Sequence, residues 1–342
     1  MAAFITAEDP RWLHFLEQLP HSAYHLPAYL DVIASYLQGR ALAFLGEVDG
    51  ASCLIPLVER PLPSDVAGCE GRVDACSPPP YGGPVFRGAG ASWPKLVELF
   101  RQACAHREIE TVYLRNSPLL EPPWDLPPES GTVLAHGETV FIDLAPSEEE
   151  LWARTSSRRR RGIRRAEKEG YRASIDDWSS FSAFRAIYDE TMDRHEASPF
   201  WRFSDAYFDD LREKLGGRIH LCTVRASSGE VAAAGLYIVG GRSLEYHLGG
   251  TAEAHRAAGP SHLLYDQMRR WAKAQGLAVF HLGGGLPPLM EFKGGFSAAR
   301  GKVHSLRLIP DLERYAELLR LCGIDAPPDG SSGFFPAYRG PE

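Results

Sequence analysis

Phe280-His-Leu-Gly-Gly-Gly-Leu-Pro-Pro-Leu-Met-Glu-Phe-Lys-Gly-Gly-Phe296 is the stretch on which the reading of this chain turns. A short apolar strand, Ala278–Leu282, runs into Gly283, Gly284 and Gly285. Glycines at a strand end let a ligand or a second backbone approach, because no Cβ stands in the way. The two prolines that follow are expected to block helix formation. Lys293 then stands alone between Phe292 and Gly294-Gly295, a single ammonium suited to meet a negative charge on a ligand or in a transition state.

The strand has an echo upstream. Tyr246-His-Leu-Gly-Gly250 and Phe280-His-Leu-Gly-Gly284 share the pattern aromatic-His-Leu-Gly-Gly, and a helix over Pro260–Gln275 separates them. If the two strands lie parallel and adjacent, both glycine pairs reach one sheet edge, where crossover folds bind ligands. Tyr246, Gly284 and Gly285 are therefore candidate acceptor-binding residues. His247 and His281 are candidate acid/base groups, although a histidine in an apolar strand is more often a hydrogen-bonded core residue.

Other elements fall around this pair. Ile219–Ala226, Val231–Val239 and Ser243–Leu248 read as strands, with turns at Ser228-Gly229 and Gly240-Gly241. Phe181–His195 and Asp205–Leu215 read as amphipathic helices. Pro146-Ser147 before three glutamates is a helix start, with acids where the helix dipole favours them. A domain boundary is expected there, giving 1–145, 146–315 and a tail, 316–342. In the first part, Asp9–Leu19, Pro27–Leu37 and Ala91–His106 are expected as helices. Ala41–Val48 and Ser52–Val58 flank the hairpin signal Asp49-Gly50. Thr111–Leu114 and Glu138–Leu144 are expected as strands, a Pro-rich loop lying between them over 118–128. The whole is an α+β pattern with one crossover.

The 342 residues suit two domains, and 44% hydrophobic with 24% charged residues is ordinary for a globular protein. No run is apolar enough to span a bilayer, and MAAFITAEDPRW has no signal-peptide pattern. Six scattered cysteines without a CxxC pair argue against zinc and a disulfide framework, so no metal is expected and a cytoplasmic location is. The net charge of −7 conceals an asymmetry: nine basic residues against two acids lie between Arg154 and Arg172, leaving −14 on the remainder. Helical spacing puts Arg158, Arg161 and Arg165 on one stripe, with Arg164 and Lys168 alongside. Such a patch repels itself unless an anion answers it, though a solvated helix face is the alternative.

Four places resemble the Fem-type branch of the GNAT superfamily, non-ribosomal aminoacyl transferases with two tandem GNAT-like domains. They are Arg158-Arg-Arg-Arg-Gly-Ile-Arg-Arg-Ala-Glu-Lys-Glu-Gly170; Phe184–Arg194 with Tyr188, Thr191 and Arg194; the strand pair; and Leu289-Met-Glu-Phe-Lys-Gly-Gly-Phe296, which matches a terminal Phe-Lys-x-x-Phe. Ser77-Pro-Pro-Pro-Tyr-Gly-Gly-Pro84 looks like a rearranged Ser-Pro-Tyr-Gly-Tyr-Gly-Gly-Pro loop, which makes Tyr81 an acceptor-binding candidate. The resemblance implies two tandem GNAT-like domains with mostly antiparallel sheets and flanking helices. It also implies Phe292 and Lys293 at a transfer centre where the lysine stabilises an oxyanion. No resident cofactor is expected. The activated donor would be an aminoacyl-tRNA, met by Arg158, Arg159, Arg161 and Arg165, and the acceptor a small amine or a peptidoglycan precursor.

Three rivals stay open. Arg256-x-x-Gly259-x-Ser261 lies where a GNAT enzyme places its pyrophosphate loop, which would make acetyl-CoA the donor; Pro260, which lacks an N–H, and Ser261 depart from that pattern. An acidic carrier protein would also suit the arginine helix, and a non-catalytic RNA-binding module would need nothing more than that helix. Arg194-His195-Glu196 fits either an acidic acceptor or a helix end whose basic residues face the dipole. Phe200-Trp-Arg-Phe203 is expected to be packing, and Phe334-Phe335 a docked or disordered tail.

Overall fold

The Asp49-Gly50 turn joins the first hairpin of a computed structural model that describes residues 2–63, 69–120, 122, 124–327, 330 and 333–340. The chain divides into two units, Met1–Gly137 with Lys302–Glu342, and Glu138–Gly301. The first runs β1 (Ala2–Thr6), α1 (Pro10–Glu17), α2 (Pro27–Tyr36), β2 (Arg40–Val48), β3 (Ala51–Pro61), β4 (Val73–Cys76), β5 (Val85–Arg87), α3 (Trp93–His106) and β6 (Ile109–Arg115). β7 (Thr132–Asp143) leads into the second unit: α4 (Glu148–Arg154), α5 (Ser157–Lys168), β8 (Arg172–Ile175), α6 (Phe181–Arg194), α7 (Asp205–Leu215), β9 (Ile219–Arg225) and β10 (Val231–Gly240). β11 (Ser243–Thr251), α8 (Ser261–Ala274), β12 (Val279–Gly283) and α9 (Pro287–Gly294) complete it, and β13 (Arg300–Leu308) with α10 (Leu312–Leu321) returns to the first.

In the first unit β1 to β4 pair antiparallel in order, β4 meets β6 in parallel, and β13 pairs antiparallel with β6. Trp93, Leu96, Val97 and Phe100 of α3 bury one face against Phe44, Ile55 and Leu114. The tail docks: Phe335 and Tyr338 join Tyr315, Leu318 and Leu319 in a second apolar cluster, while Phe334 is exposed. Residues 121 and 123 of the Pro-rich loop lie outside the described residues.

The second unit carries the strand pair. β7 pairs antiparallel with β12, β12 lies parallel to β11, and β10, β9 and β8 follow antiparallel. Strand alternation separates its faces. Leu244, Phe280, Leu282, Cys222, Val224 and Tyr237 share a core with Ile163 and Ala166 of α5 and Leu264 and Met268 of α8. The alternate residues, Glu245 and His281 among them, turn to the side on which α6 packs.

Two expectations are corrected. Pro287 and Pro288 do not block a helix; they open α9 at its first two positions, where an amide N–H has no intrahelical partner to lose. The glycine echo does not end the two strands alike either. Ladder register pairs Leu244 with Phe280 and Glu245 with His281, two residues off the sequence alignment, and β11 continues through Gly249-Gly250 to Thr251. His247 is the extra residue of a bulge, since Leu248 faces Leu236 but Tyr246 faces Tyr237.

Gly250 serves helix packing instead. A Cβ there would lie 2.2 Å from Thr191 Oγ1 and 3.0 Å from the Ile187 carbonyl of α6. Gly250→Ala is therefore expected to cost about 2 kcal/mol by overpacking, read as a lowered Tm in thermal unfolding.

Candidate active site

The parallel ladder between β11 and β12 ends at Glu245 and His281, and a fork opens beyond it. Lys293 fills that fork. The Nζ donates to the Gly284 carbonyl at 2.6 Å and lies 5.4 Å from the centroid of the Tyr246 ring. It is only 3% exposed, and burial pushes its pKa down to about 7. An ammonium and a free amine are thus both accessible near neutral pH, because desolvation penalises the charged form.

Around the lysine stands an aromatic wall. Tyr246 stacks on Tyr265 of α8 at 5.1 Å, and Tyr265 meets Phe292 and Phe296 at 5.4 and 5.5 Å. Burial pushes the Tyr246 hydroxyl up to about 12, so it stays protonated. Gly285, exposed at φ 148°, packs against Leu289 at the fork's outer lip.

Of the four donor arginines on α5, one turns inward. Arg159, 5% exposed, donates from Nε to the Phe292 carbonyl at 3.0 Å and from Nη2 to the Glu291 carbonyl at 3.3 Å. Its guanidinium lies 4.3 Å from the Phe292 ring centroid, and its Nη1 is 3.2 Å from His262 Nε2. A charge at the C-terminal end of α9 favours the helix dipole and fixes the helix that carries Lys293. Gly295 makes this approach possible: a Cβ there would stand 2.7 Å from Arg159 Cγ and Nε. Arg159 thus belongs to the support of the site and is not on the solvent face expected for a donor contact. Arg158, Arg161, Arg164, Arg165 and Lys168 remain exposed, Arg158 pairing with Glu291 at 2.8 Å.

Arg165 reaches the loop before α8, donating from Nη2 to the Ala257 and Ala258 carbonyls at 2.8 and 2.6 Å. Arg256 pairs with Glu253 at 3.0 Å, and Arg194 at the end of α6 meets the same carboxylate at 3.3 Å. Ser261 bonds the Thr251 hydroxyl. The loop's amides are bonded to its own carbonyls: Ala258 and Gly259 to His255, His262 to Gly259, Leu263 and Leu264 to Pro260. Pro260 brings no N–H, so a pyrophosphate at the Arg256-x-x-Gly259-x-Ser261 loop would lack one of the donors that a helix N-terminus offers.

The two histidines are not beside the lysine. His247 bonds the Tyr207 hydroxyl of α7 at 3.0 Å, and burial drives its pKa down to about 3, too weak a base to hold an amine's proton. His281 lies on the α6 side in a buried pair, Nδ1 to Glu245 Oε2 at 2.6 Å, with the Ser243 hydroxyl donating to Glu245 Oε1 at 3.0 Å. Tyr81 belongs to the first unit, its ring 5.4 Å from the Arg115 guanidinium carbon. Phe203 stacks on Tyr207 at 4.1 Å, so the 200–203 aromatics pack. Glu245, His262 and Tyr265 escaped the sequence reading. Among the described residues no group of three or more His, Cys, Asp or Glu is placed to hold a metal, and no helix is long and apolar enough to cross a membrane.

Residues 153–294, which contain the fork, the arginine helix and α9, match the family model of the acetyltransferase (GNAT) domain. The second unit carries a GNAT acyltransferase domain. No curated protein sequence matches the chain. Among solved structures, FemX superposes with a TM-score of 0.67 at 12% identity, covering 93% of this chain and 99% of its own. L-PGS from Bacillus licheniformis gives 0.51 at 16% identity, covering 94% and 98%. The C-terminal domain of a putative lysylphosphatidylglycerol synthetase from Agrobacterium fabrum gives 0.51 at 15%, covering 92% and 94%. At such identities the likeness is one of fold, and the fold is Fem-like. The GNAT domain accordingly holds Lys293, Tyr246 and Phe292 together, with Arg159 bracing them and the exposed arginines on the same helix.

Proposed function

We propose that this acyltransferase forms an amide on a substrate amine, taking the acyl group from an aminoacyl-tRNA, with a small amine or a peptidoglycan precursor as acceptor. The observation that carries the reading is the buried Lys293 amine in the fork, walled by Phe292 and Tyr246. The acceptor nitrogen attacks the ester carbonyl, a C–N bond forms, and the C–O bond to the ribose breaks as the tetrahedral intermediate collapses. Protonated Lys293 holds the oxyanion of that intermediate, in a site where a fixed cation is worth several kcal/mol. The acceptor reacts as the neutral amine, and the proton it sheds goes to the ribose oxygen as the C–O bond breaks.

The exposed basic face of α5 supports tRNA as donor. We further propose that each of the two units is a GNAT-like domain, the boundaries expected at 145 and 315 giving way to those of the units, and that the protein works in the cytoplasm. A donor screen tests the reading. Transfer from charged tRNA should vanish with ribonuclease and fall steeply with salt. If acetyl-CoA instead supports transfer and raises Tm, by about 3 kcal/mol of stabilisation at a hundredfold excess over Kd, the CoA reading replaces it. Transfer from neither, nor from an acylated carrier protein, would remove the enzymatic reading.

A further inference from the structure

Two cysteines that no catalytic argument uses meet in the first unit. Cys69 Sγ and Cys322 Sγ are 3.8 Å apart, although 253 residues separate them in sequence. Cys53, Cys76, Cys104 and Cys222 are buried, whereas Cys322 is partly exposed at the end of α10. Both segments are held in place by one carboxylate. Glu110, its side chain wholly buried, accepts Arg72 at 3.4 Å and Arg314 of α10 at 2.6 Å. The Arg72 amide bonds the Cys69 carbonyl, and the Leu62 amide bonds the Arg72 carbonyl, so the turn that carries Cys69 is fixed as well. Leu62, Tyr315, Leu318 and Leu319 pack around the pair.

We propose that Cys69 and Cys322 form an intramolecular disulfide when the protein meets a hydroperoxide. A disulfide spans about 2.05 Å, so the sulphurs need to close by less than about 2 Å, within reach of side-chain rotation. The Cys322 thiolate attacks the peroxide, breaking the O–O bond and giving a sulfenic acid and an alcohol or water. Cys69 then attacks the sulfenyl sulphur, an S–S bond forms, and the hydroxyl leaves as water with the Cys69 proton. The order of events follows from access: Cys322 is the exposed partner, and burial with the neighbouring Cys322 pushes the Cys69 thiol up to about 11. Cys69 is therefore the resolving thiol. Under a reducing glutathione pool the pair stays open, and oxidation ties α10 to the turn before β4.

The test is peroxide treatment of the full chain, alkylation of remaining thiols, and mass spectrometry of unreduced peptides. The expected result is one cross-linked peptide joining Cys69 to Cys322, lost on adding dithiothreitol and absent from Cys322→Ser. Cys69→Ser should instead accumulate Cys322 as sulfenic or sulfinic acid. Oxidised wild type should melt higher by about 5 °C, since the bridge restricts the unfolded chain across a very long loop. Over-oxidation of Cys322 with Cys69 still alkylatable would overturn the proposal. So would bridging between chains, or two unreacted thiols at a peroxide dose that oxidises glutathione.

Discussion

Lys293→Met is expected to lose about a hundredfold or more in turnover while melting no lower, and at pH 6 higher, than the wild type. The sign follows from burial. Lys293 has a folded-state pKa of about 7 against 10.5 when exposed. Between those values the unfolded chain binds more protons than the folded one, so stability rises with pH across that window. Below about 7 the folded state carries the full cost of a buried ammonium, on the order of 5 kcal/mol if the whole shift is counted. Methionine fills a similar volume without the charge and gives up one hydrogen bond to the Gly284 carbonyl. Thermal unfolding at several pH values should show the gain fading as pH rises toward 10. A site that costs stability when whole is the signature of a group kept for chemistry.

Asp266→Ala is expected to show the reverse, a large loss of stability in the GNAT domain. Asp266 is 1% exposed and accepts Arg269 Nε and Nη2 at 3.2 and 3.0 Å, and Arg270 at 2.8 Å. Arg269, equally buried, keeps the half-exposed Glu148 at 2.8 Å as its ion-pair partner among the described residues once Asp266 is gone. Breaking a buried pair from one side strands a charge and costs about 3–5 kcal/mol, a fall of roughly 10 °C in Tm. Replacing both partners, Asp266→Leu with Arg269→Met, should recover most of it. A double variant as unstable as the single one would show that the ion pair contributes more than mutual compensation.

Much of this arrangement was legible in the sequence at the level of elements. The strand leading to Gly283, the helix that Gly276 ends, the hairpin strands β9 to β11 and the exposed arginines all follow from periodicity and turn residues. What escaped depends on pairing over distance. The two-residue offset between β11 and β12 is a ladder register set by packing, and near-identical pentapeptides hide it. It is the reason His281 sits opposite Glu245, while a separate bulge against β10 places His247 beside Tyr207. Arg159 carried a readable signal: with Ile163 and Ala166 it makes an i, i+4, i+7 stripe, the side of α5 that is buried. The resemblance alone put Arg159 among the donor-binding arginines. The prolines at 287 and 288 were read as breakers, whereas at a helix's first positions the same missing N–H costs nothing.

The central claim, that a titrating Lys293 in the β11–β12 fork drives transfer, meets its most direct test in single-turnover amide formation measured from about pH 5.5 to 9. With whichever donor supports transfer, the wild-type rate is expected to lose a component with an apparent pKa of about 7 as Lys293 gives up its proton. Lys293→Met should be slower by about a hundredfold or more and lack that component. A Lys293→Met protein that forms the amide at the wild-type rate, with the same pH profile, would contradict the account.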